Sequence, residues 1–254
     1  MEEKISEIKE KLKCWDDARL EEFLEIYKDD ARSGVAALCT QAVRRMAAYE
    51  KELARIDAMK QYERQYAAYG AICGIDEVGR GPLAGPVVAG AVILPKDCDI
   101  LYLNDSKKLT AGMRERLYDE IMEKAVAAGI GFASEKRIDE INILNATYEA
   151  MRDAIGKCIQ KPDILLNDAV TIPGVSIRQV PIIKGDAKSV SIAAASIIAK
   201  VTRDRYMEKM DEKYPGYGFA SNKGYGSREH IEALKKMGPC EIHRKTFIGH
   251  FVTV

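Results

Sequence analysis

The chain lacks long apolar segments and the residue patterns of metal–thiolate sites. Among its 254 residues, no uninterrupted apolar run approaches the roughly 18 residues that a membrane-spanning helix needs. The amino-terminal segment MEEKISEIKEKLK is charged and has no apolar signal core, so we expect a cytoplasmic protein. Its six cysteines form no C-x-x-C pair and only three histidines accompany them, which argues against a zinc site and favours free thiols.

A net charge is also lacking. The 39 basic and 39 acidic residues cancel, which argues against a protein that coats nucleic acid by bulk attraction. The charge is nevertheless uneven, because residues 184–254 hold 13 Lys and Arg against 8 Asp and Glu, whereas residues 71–183 hold 13 against 16. A basic face beside an acidic pocket suits a polyanion that is held over metal ions.

The amino-terminal quarter of the chain lacks proline, and Gly34 is its only glycine before Gly70. Apolar residues such as Ile5, Ile8 and Leu12 recur there at three- and four-residue spacing, which predicts helices. We expect residues 1–68 to form a helical appendage. A role in packing on the main domain and a role as a partner- or substrate-binding arm are both open at this point.

From residue 69 onward, short β-like runs alternate with helical ones, which predicts an α/β layered domain. The expected strands are 72–76, 87–94, 131–136, 164–167 and 176–180, and the expected helices are 109–128, 145–160, 187–214 and 227–237. The first half of the 187–214 helix contains the segment SIAAASIIAK, which is small and apolar enough to be buried.

Four acidic residues share one context, since each follows an apolar run or a turn and stands close to a glycine or a small residue. They are Asp76, Glu77, Asp168 and Asp186. Acids at the ends of buried strands are costly unless something cationic pairs with them. Carboxylate oxygens are the ligands that Mg²⁺ prefers, and two ions about 3.5–4 Å apart can activate a water and stabilise a leaving oxygen. We therefore predict that these acids hold two divalent ions, Mg²⁺ or Mn²⁺.

Each acid also has an ordinary structural interpretation. Asp186 could cap the helix expected to begin at residue 187, and Asp168 could be a turn aspartate. Asp76 and Glu77 are harder to explain in this way, because a Gly-Arg-Gly turn follows them at once. Successive strand residues point to opposite faces, so the pair can share a site only where the strand ends or twists, as Gly79 would allow.

The segment Gly79-Arg80-Gly81 lets backbone N–H groups come close to a ligand. One rival interpretation is a nucleotide-binding enzyme built around this segment. The spacing G-x-G-x-x-x-G misses the dinucleotide fingerprint by one residue, and the β-like segment that follows replaces the helix which that fold requires.

Five blocks, in this order, carry a resemblance to a known family: GIDEVGRGPLAGPVVAGAVIL, NDSKKL, KGDAKSVSIAAASIIAKVTRDRYM, YPGYGF and NKGYGSREHIEALKKMGPCEIHRKTF. Over about residues 70–250 the chain resembles the type 2 ribonuclease H family (ribonuclease HII). The resemblance implies an RNase H-like mixed sheet flanked by helices, with a helical carboxy-terminal portion, in residues 69–254. The appendage of residues 1–68 is similar to extensions of some bacterial members.

The resemblance also implies an activity. It is endonucleolytic hydrolysis of the RNA strand of RNA/DNA hybrids, and nicking 5′ of ribonucleotides embedded in duplex DNA, with 3′-hydroxyl and 5′-phosphate products. We expect a monomer that acts on these nucleic acids and has no membrane partner. A non-catalytic adaptor that binds RNA/DNA hybrids is the alternative, although such a protein would tolerate loss of the acids and all four are present.

Residue roles follow from the matching motifs. The four acids match the catalytic and metal-binding set, with Asn167 standing before Asp168 where the family often has an apolar residue. Gly79, Arg80 and Gly81 match the loop that recognises the ribose 2′-hydroxyl, and Tyr225 matches a tyrosine that stacks on the neighbouring deoxyribose. The candidates for phosphate contacts are lysines: Lys107, Lys108, Lys184, Lys188 and Lys223.

Overall fold

A computed structural model of the chain describes residues 3–252. Its contacts divide the chain into two compact units, Met1–Ala58 and Met59–Val254. The first unit is built from helices, as the apolar spacing predicts: α1 (Ile5–Cys14), α2 (Leu20–Tyr27) and α3 (Ser33–Met59).

The first unit has an apolar core of its own. Leu12, Leu20 and Val35 are buried in it together with Phe23. The Phe23 ring lies 4.7 Å from the ring of Tyr27, measured between centroids. The helical stripe in the sequence is therefore a packing surface, which stabilises helices that would be marginal in isolation.

A five-stranded mixed sheet forms the centre of the second unit. Its strands are β1 (Ile72–Val78), β2 (Val87–Ile93), β3 (Ala127–Ala133), β4 (Ile164–Asp168) and β5 (Arg178–Ile182). Their order across the sheet is β3-β2-β1-β4-β5. β2 pairs antiparallel with β1 and β3, whereas β4 pairs parallel with β1 and β5.

Helices connect and cover the strands of this sheet. They are α4 (Gln61–Gln65), α5 (Ala111–Lys124), α6 (Glu135–Lys157), α7 (Val190–Lys213), α8 (Phe219–Asn222), α9 (Arg228–Met237) and α10 (Lys245–Ile248). None of the helices within residues 3–252 is long and apolar enough to cross a membrane.

α6 and α7 pack on the strands at very short range. A Cβ added to Gly74 would lie 2.1 Å from the backbone of Ser191 in α7, and one added to Gly131 would lie 1.9 Å from the Ala150 carbonyl oxygen in α6. Glycine is therefore required in these strands because the helix backbones touch the sheet. Every residue of β2 is buried, as expected for a strand with both faces covered.

The amino-terminal half of α7 is buried, which confirms the prediction from its small apolar residues. Ser189 caps the helix, since its hydroxyl accepts the N–H of Ile192 at 3.2 Å. The carboxyl end of β1, the end of β4 and the turn before α7 all lie around this helix, and the predicted acids are on these three segments.

Candidate active site

The two central strands carry Asp76 and Asp168 to the same edge of the sheet. β1 and β4 run parallel, and their register pairs Ile75 with Asn167. The next residue along each strand is the acid, so the two carboxylates lie side by side where β4 ends. Carboxyl ends of parallel strands are the usual location of ligand sites in open α/β sheets.

Asp168 also fixes the turn that carries Asp186. One of its carboxylate oxygens accepts the N–H of Gly185 at 2.7 Å. Gly185 begins the short 3₁₀ turn Gly185–Ala187, in which Asp186 is the central residue. Asp186 is thus brought to Asp168 by a direct hydrogen bond between their two segments and is not the N-cap of α7, a position that Ser189 takes.

The charge of Asp168 acts on the other three acids. Burial raises the pKa of Asp76 well above its usual value, and it also raises the pKa of Glu77 and Asp186. The neighbouring carboxylate of Asp168 adds to each of these three increases. The four carboxyl groups therefore interact as one cluster, although they come from three separate segments.

The cluster fits hard divalent cations. Asp76 is only 7% exposed, and one carboxylate oxygen of Glu77 is buried with no hydrogen-bond partner in the described part of the chain. Within residues 3–252, the His, Cys, Asp and Glu side chains form no group of three or more that could hold a metal ion as the structure stands. The donor chemistry nevertheless matches Mg²⁺ or Mn²⁺, because these ions prefer carboxylate oxygens and retain water and substrate oxygens in their coordination shells.

The glycine-rich loop, Gly79-Arg80-Gly81, and the side chain of Tyr225 lie next to these acids. Arg80 approaches Glu77, with 3.4 Å between a guanidinium nitrogen and a carboxylate oxygen. A Cβ added to Gly81 would lie 4.0 Å from the ring of Tyr225, which is 41% exposed. The loop, the tyrosine and the acid cluster therefore form one continuous surface.

The predicted lysines are placed less uniformly. Lys107 and Lys108 lie close enough to Asp186 that their charges oppose the rise in its pKa. Lys188 is exposed just after the Gly185–Ala187 turn. Lys223 differs, because its ammonium group forms an ion pair with Glu208 at 2.6 Å.

Asn167 is compatible with a buried strand. It is fully buried, and its amide nitrogen donates to the carbonyl of Val170 at 3.1 Å and to the side chain of Gln179 at 2.8 Å. Local hydrogen bonds therefore satisfy its amide nitrogen, whereas its Oδ1 has no hydrogen-bond partner within residues 3–252.

Sequence reasoning missed a fifth acid and a pair of serines at the site. Asp105 caps the 3₁₀ turn Ser106–Lys108, and its charge raises the pKa of Asp186. The hydroxyls of Ser106 and Ser196 are 2.9 Å apart, and a hydrogen bond from Ser196 opposes the rise in the pKa of Asp76. The available signal was the segment NDSKKL, in which an acid and a serine follow an apolar run.

A mixed sheet of this order, with acids near the ends of β1 and β4 and a helix behind them, defines an RNase H-like protein with a carboxylate cluster at the sheet edge. Comparison with known sequences narrows the class. The family described as Ribonuclease HII matches residues 73–251, and the Ribonuclease HII N-terminal domain matches residues 4–67. A Ribonuclease HII from Lachnoclostridium phytofermentans is 61% identical over 250 residues, which cover 98% of both chains. The chain belongs to the ribonuclease HII family, and it is a metal-dependent endonuclease with ribonuclease H activity.

Solved structures confirm the predicted RNase H-like fold. The ribonuclease H2 of Pyrococcus horikoshii has a TM-score of 0.58 and 32% identity, over 69% of this chain and 92% of that one. The RNase HII in a PCNA:RNase HII complex from Archaeoglobus fulgidus has a TM-score of 0.59 and 29% identity, over 70% and 94% of the two chains.

Proposed function

We propose that the enzyme hydrolyses the RNA strand of RNA/DNA hybrids and nicks duplex DNA on the 5′ side of an embedded ribonucleotide, with two divalent ions and with 3′-hydroxyl and 5′-phosphate products. The observation that carries this proposal is the continuity of the acid cluster with Gly79-Arg80-Gly81 and Tyr225. A surface that reads a sugar is useful for cutting only if it adjoins the group that performs the chemistry.

The metal ligands in this proposal are Asp76, Glu77, Asp168 and Asp186. Bound Mg²⁺ or Mn²⁺ supplies an activated water and neutralises charge on the scissile phosphate. The carboxylates would hold the ions at one place on the sheet edge. Because burial and mutual repulsion raise the pKa of Asp76, its charged form is costly without a cation. The carboxylate cluster therefore favours the binding of cations.

Selection of the ribonucleotide is assigned to the neighbouring loop. Only the 2′-hydroxyl distinguishes RNA from DNA at a given position. Arg80 and Gly81 are exposed, and their backbone could approach this hydroxyl closely because Gly81 has no side chain to obstruct it. The half-exposed Tyr225 ring would pack against the adjacent deoxyribose and exclude a sugar that carries a 2′-hydroxyl. Together they select an RNA-to-DNA step and not a base sequence.

Phosphate contacts are assigned to Lys108 and Lys188, which are both exposed next to the acid cluster. Positive side chains there would hold the strand across the site without reading bases. The lysines would act as a group, so we expect each single substitution to have a small effect.

The direct test is a labelled DNA duplex with one ribonucleotide, incubated with the enzyme in Mg²⁺ and in Mn²⁺. We expect one nick, 5′ of the ribonucleotide, with a 3′ end that a DNA polymerase can extend. In Asp76→Asn, the loss of about 3–4 kcal/mol of transition-state stabilisation should slow cleavage by about two to three orders of magnitude while substrate binding is retained.

Asp99→Asn is the matched control, because Asp99 is a surface acid with a 77% exposed side chain and pairs with Lys124. Its cleavage rate should equal that of the unmodified enzyme. Near-normal turnover by Asp76→Asn would contradict the metal assignment, and binding of the duplex by the unmodified protein without any cut would favour the adaptor.

The proposal extends to the organisation of the protein. Residues 69–254 would hold the whole catalytic apparatus, including the helical carboxy-terminal portion that carries Tyr225. Residues 1–68 would be an extension that takes no part in the chemistry. We also propose that the enzyme acts as a cytoplasmic monomer.

A further inference from the structure

A buried arginine lies directly beneath the glycine-rich loop. Arg244 has no exposed surface, and its guanidinium donates to three backbone carbonyls. The acceptors are Gly79 at 2.6 Å, Arg80 at 2.9 Å and Gly85 at 2.9 Å. No ion pair of residues 3–252 includes Arg244. A buried charge without a carboxylate partner is costly, so the three carbonyls provide its compensation.

These hydrogen bonds fix the direction of two peptide groups. In a trans peptide, the carbonyl of one residue and the N–H of the next point in opposite directions, and no cis peptide occurs in the described residues. Because the carbonyls of Gly79 and Arg80 point inward to Arg244, the N–H groups of Arg80 and Gly81 point outward. Both of these residues are exposed, whereas Gly79 is buried.

The two outward N–H groups are free to act on a ligand. Neither donates a hydrogen bond to any group in the part of the chain that the structure describes. The two residues adjoin both sides of the site, since the guanidinium of Arg80 is 3.4 Å from a carboxylate oxygen of Glu77 and the Cβ position of Gly81 is 4.0 Å from the Tyr225 ring. Two adjacent donors on this surface match an oxygen acceptor on a sugar.

We propose that Arg244 is a positioning residue for sugar selection. By holding the carbonyls of Gly79 and Arg80 inward, it presents the N–H groups of Arg80 and Gly81 to the 2′-hydroxyl oxygen of the ribonucleotide. This inference rests on the proposed function and adds the group that orients its recognition loop. Arg244 does not touch the substrate.

Arg203 offers an internal comparison. It is also fully buried, and it donates to the carbonyls of Pro86 at 2.9 Å, Lys223 at 2.8 Å and Ala84 at 3.1 Å. It therefore supports the flanks of the same region without binding the carbonyls of Gly79 or Arg80. Replacement of either arginine removes one buried guanidinium, but only Arg244 controls the two outward N–H groups.

The experiment compares Arg244→Lys with Arg203→Lys. Lysine retains the charge but cannot present a planar fork to several carbonyls at once. Dissociation constants are measured for a duplex with one ribonucleotide and for the same duplex in DNA alone, in an Asp186→Asn background that prevents cleavage. The ratio of the two constants reports sugar selection, whereas a general loss of structure affects both duplexes.

We expect Arg244→Lys to reduce the preference for the ribonucleotide by about tenfold, the value of one or two lost hydrogen bonds. Arg203 lies 5.9 Å from the centroid of the Tyr225 ring, so Arg203→Lys should also reduce the preference, but by a clearly smaller factor. An unchanged ratio in Arg244→Lys, or equal losses in both variants, would overturn the assignment. Failure of the unmodified enzyme to cut the ribonucleotide duplex would instead refute the proposed function itself.

A second measurement covers the case in which Arg244→Lys does not fold. Amide hydrogen exchange is followed at Arg80 and Gly81 in the Asp186→Asn protein, which retains Arg244. Both amides should exchange rapidly in the free protein and become protected by the ribonucleotide duplex but not by the DNA duplex. Protection in the free protein, or equal protection by both duplexes, would overturn the proposal.

Discussion

Gly79→Ala tests how rigidly the recognition loop is packed. Gly79 is buried and has a φ of +90°, a conformation that residues with a side chain rarely adopt. A Cβ at this position would lie 2.2 Å from Nε of Arg203, 2.7 Å from its Cδ and 2.8 Å from the Pro86 carbonyl oxygen. Since Arg203 donates to that same carbonyl, neither neighbour can move away without breaking a buried hydrogen bond.

The expected loss of unfolding free energy in Gly79→Ala has two contributions. The backbone conformation costs an alanine about 1 kcal/mol, and overpacking against a fixed neighbour costs about 2 kcal/mol. A loss of about 3 kcal/mol in the free energy of unfolding corresponds to a fall of about 6–12 °C in Tm for a chain of this size.

Thermal and urea unfolding measure this change, with Gly156→Ala as the control. Gly156 is exposed in the last turn of α6, and an added Cβ there meets nothing within 4 Å. Its replacement should leave the stability unchanged or raise it by up to about 1 kcal/mol. If Gly79→Ala is as stable as Gly156→Ala, Gly79 is not packed against Arg203 and Pro86 in the way described.

Three further predictions concern specificity, salt and pH. The Tyr225→Ala enzyme should cut a duplex with an RNA–DNA junction and a fully hybrid duplex at more similar rates than the unmodified enzyme does. An unchanged ratio of the two rates would show that Tyr225 is not part of the site. Cleavage should slow as salt rises because phosphate contacts are screened, and an insensitive rate would contradict the assignment of the lysines. His243, whose pKa is lowered to about 4 first by burial and then by the charge of His230, should titrate near that pH in an NMR experiment. Titration near pH 6.5 would contradict its burial.

The direction in which pH changes stability through His243 depends on the difference between its pKa in the unfolded and in the folded chain. Its pKa is about 6.5 when unfolded and about 4 when folded, so the unfolded state binds the proton first as pH falls. The contribution of neutral His243 is therefore complete above about pH 6.5 and is lost as pH falls towards about 4, a change of about 3 kcal/mol. Because the raised pKa values of Asp76, Glu77 and Asp186 also change the stability over this range, it is measured as the difference between the unmodified protein and His243→Gln in the change of unfolding free energy from pH 7 to pH 4.

The strand β3 shows where the sequence pattern failed. The alanine-rich segment predicts a helix through residue 128 and a strand at 131–136, whereas α5 ends at Lys124 and β3 spans Ala127–Ala133. Added Cβ atoms at Gly129 and Gly131 would lie 2.0 Å and 1.9 Å from carbonyl oxygens of α6. The small residues serve close packing of a helix on the sheet, so tertiary contact overrides helix propensity.

The acid cluster could be predicted from the amino-acid sequence more easily than the role of the buried arginine beneath the loop. Asp76, Glu77, Asp168 and Asp186 could be predicted because each marks the end of an apolar run or a turn, which is a local signal. The role of Arg244 could not be predicted, because its acceptor at Gly79 lies 165 residues earlier in the chain. A buried arginine and an exposed one look alike in sequence.

The most direct test of the carboxylate cluster as a metal site is a crystal of the enzyme soaked in Mn²⁺ and measured at the manganese absorption edge. Anomalous difference peaks are predicted within coordination distance of carboxylate oxygens of Asp76, Glu77, Asp168 and Asp186, and they should be absent from an Asp76→Asn crystal prepared in the same way. Manganese bound elsewhere, with none at these four side chains, would contradict the proposed catalytic centre.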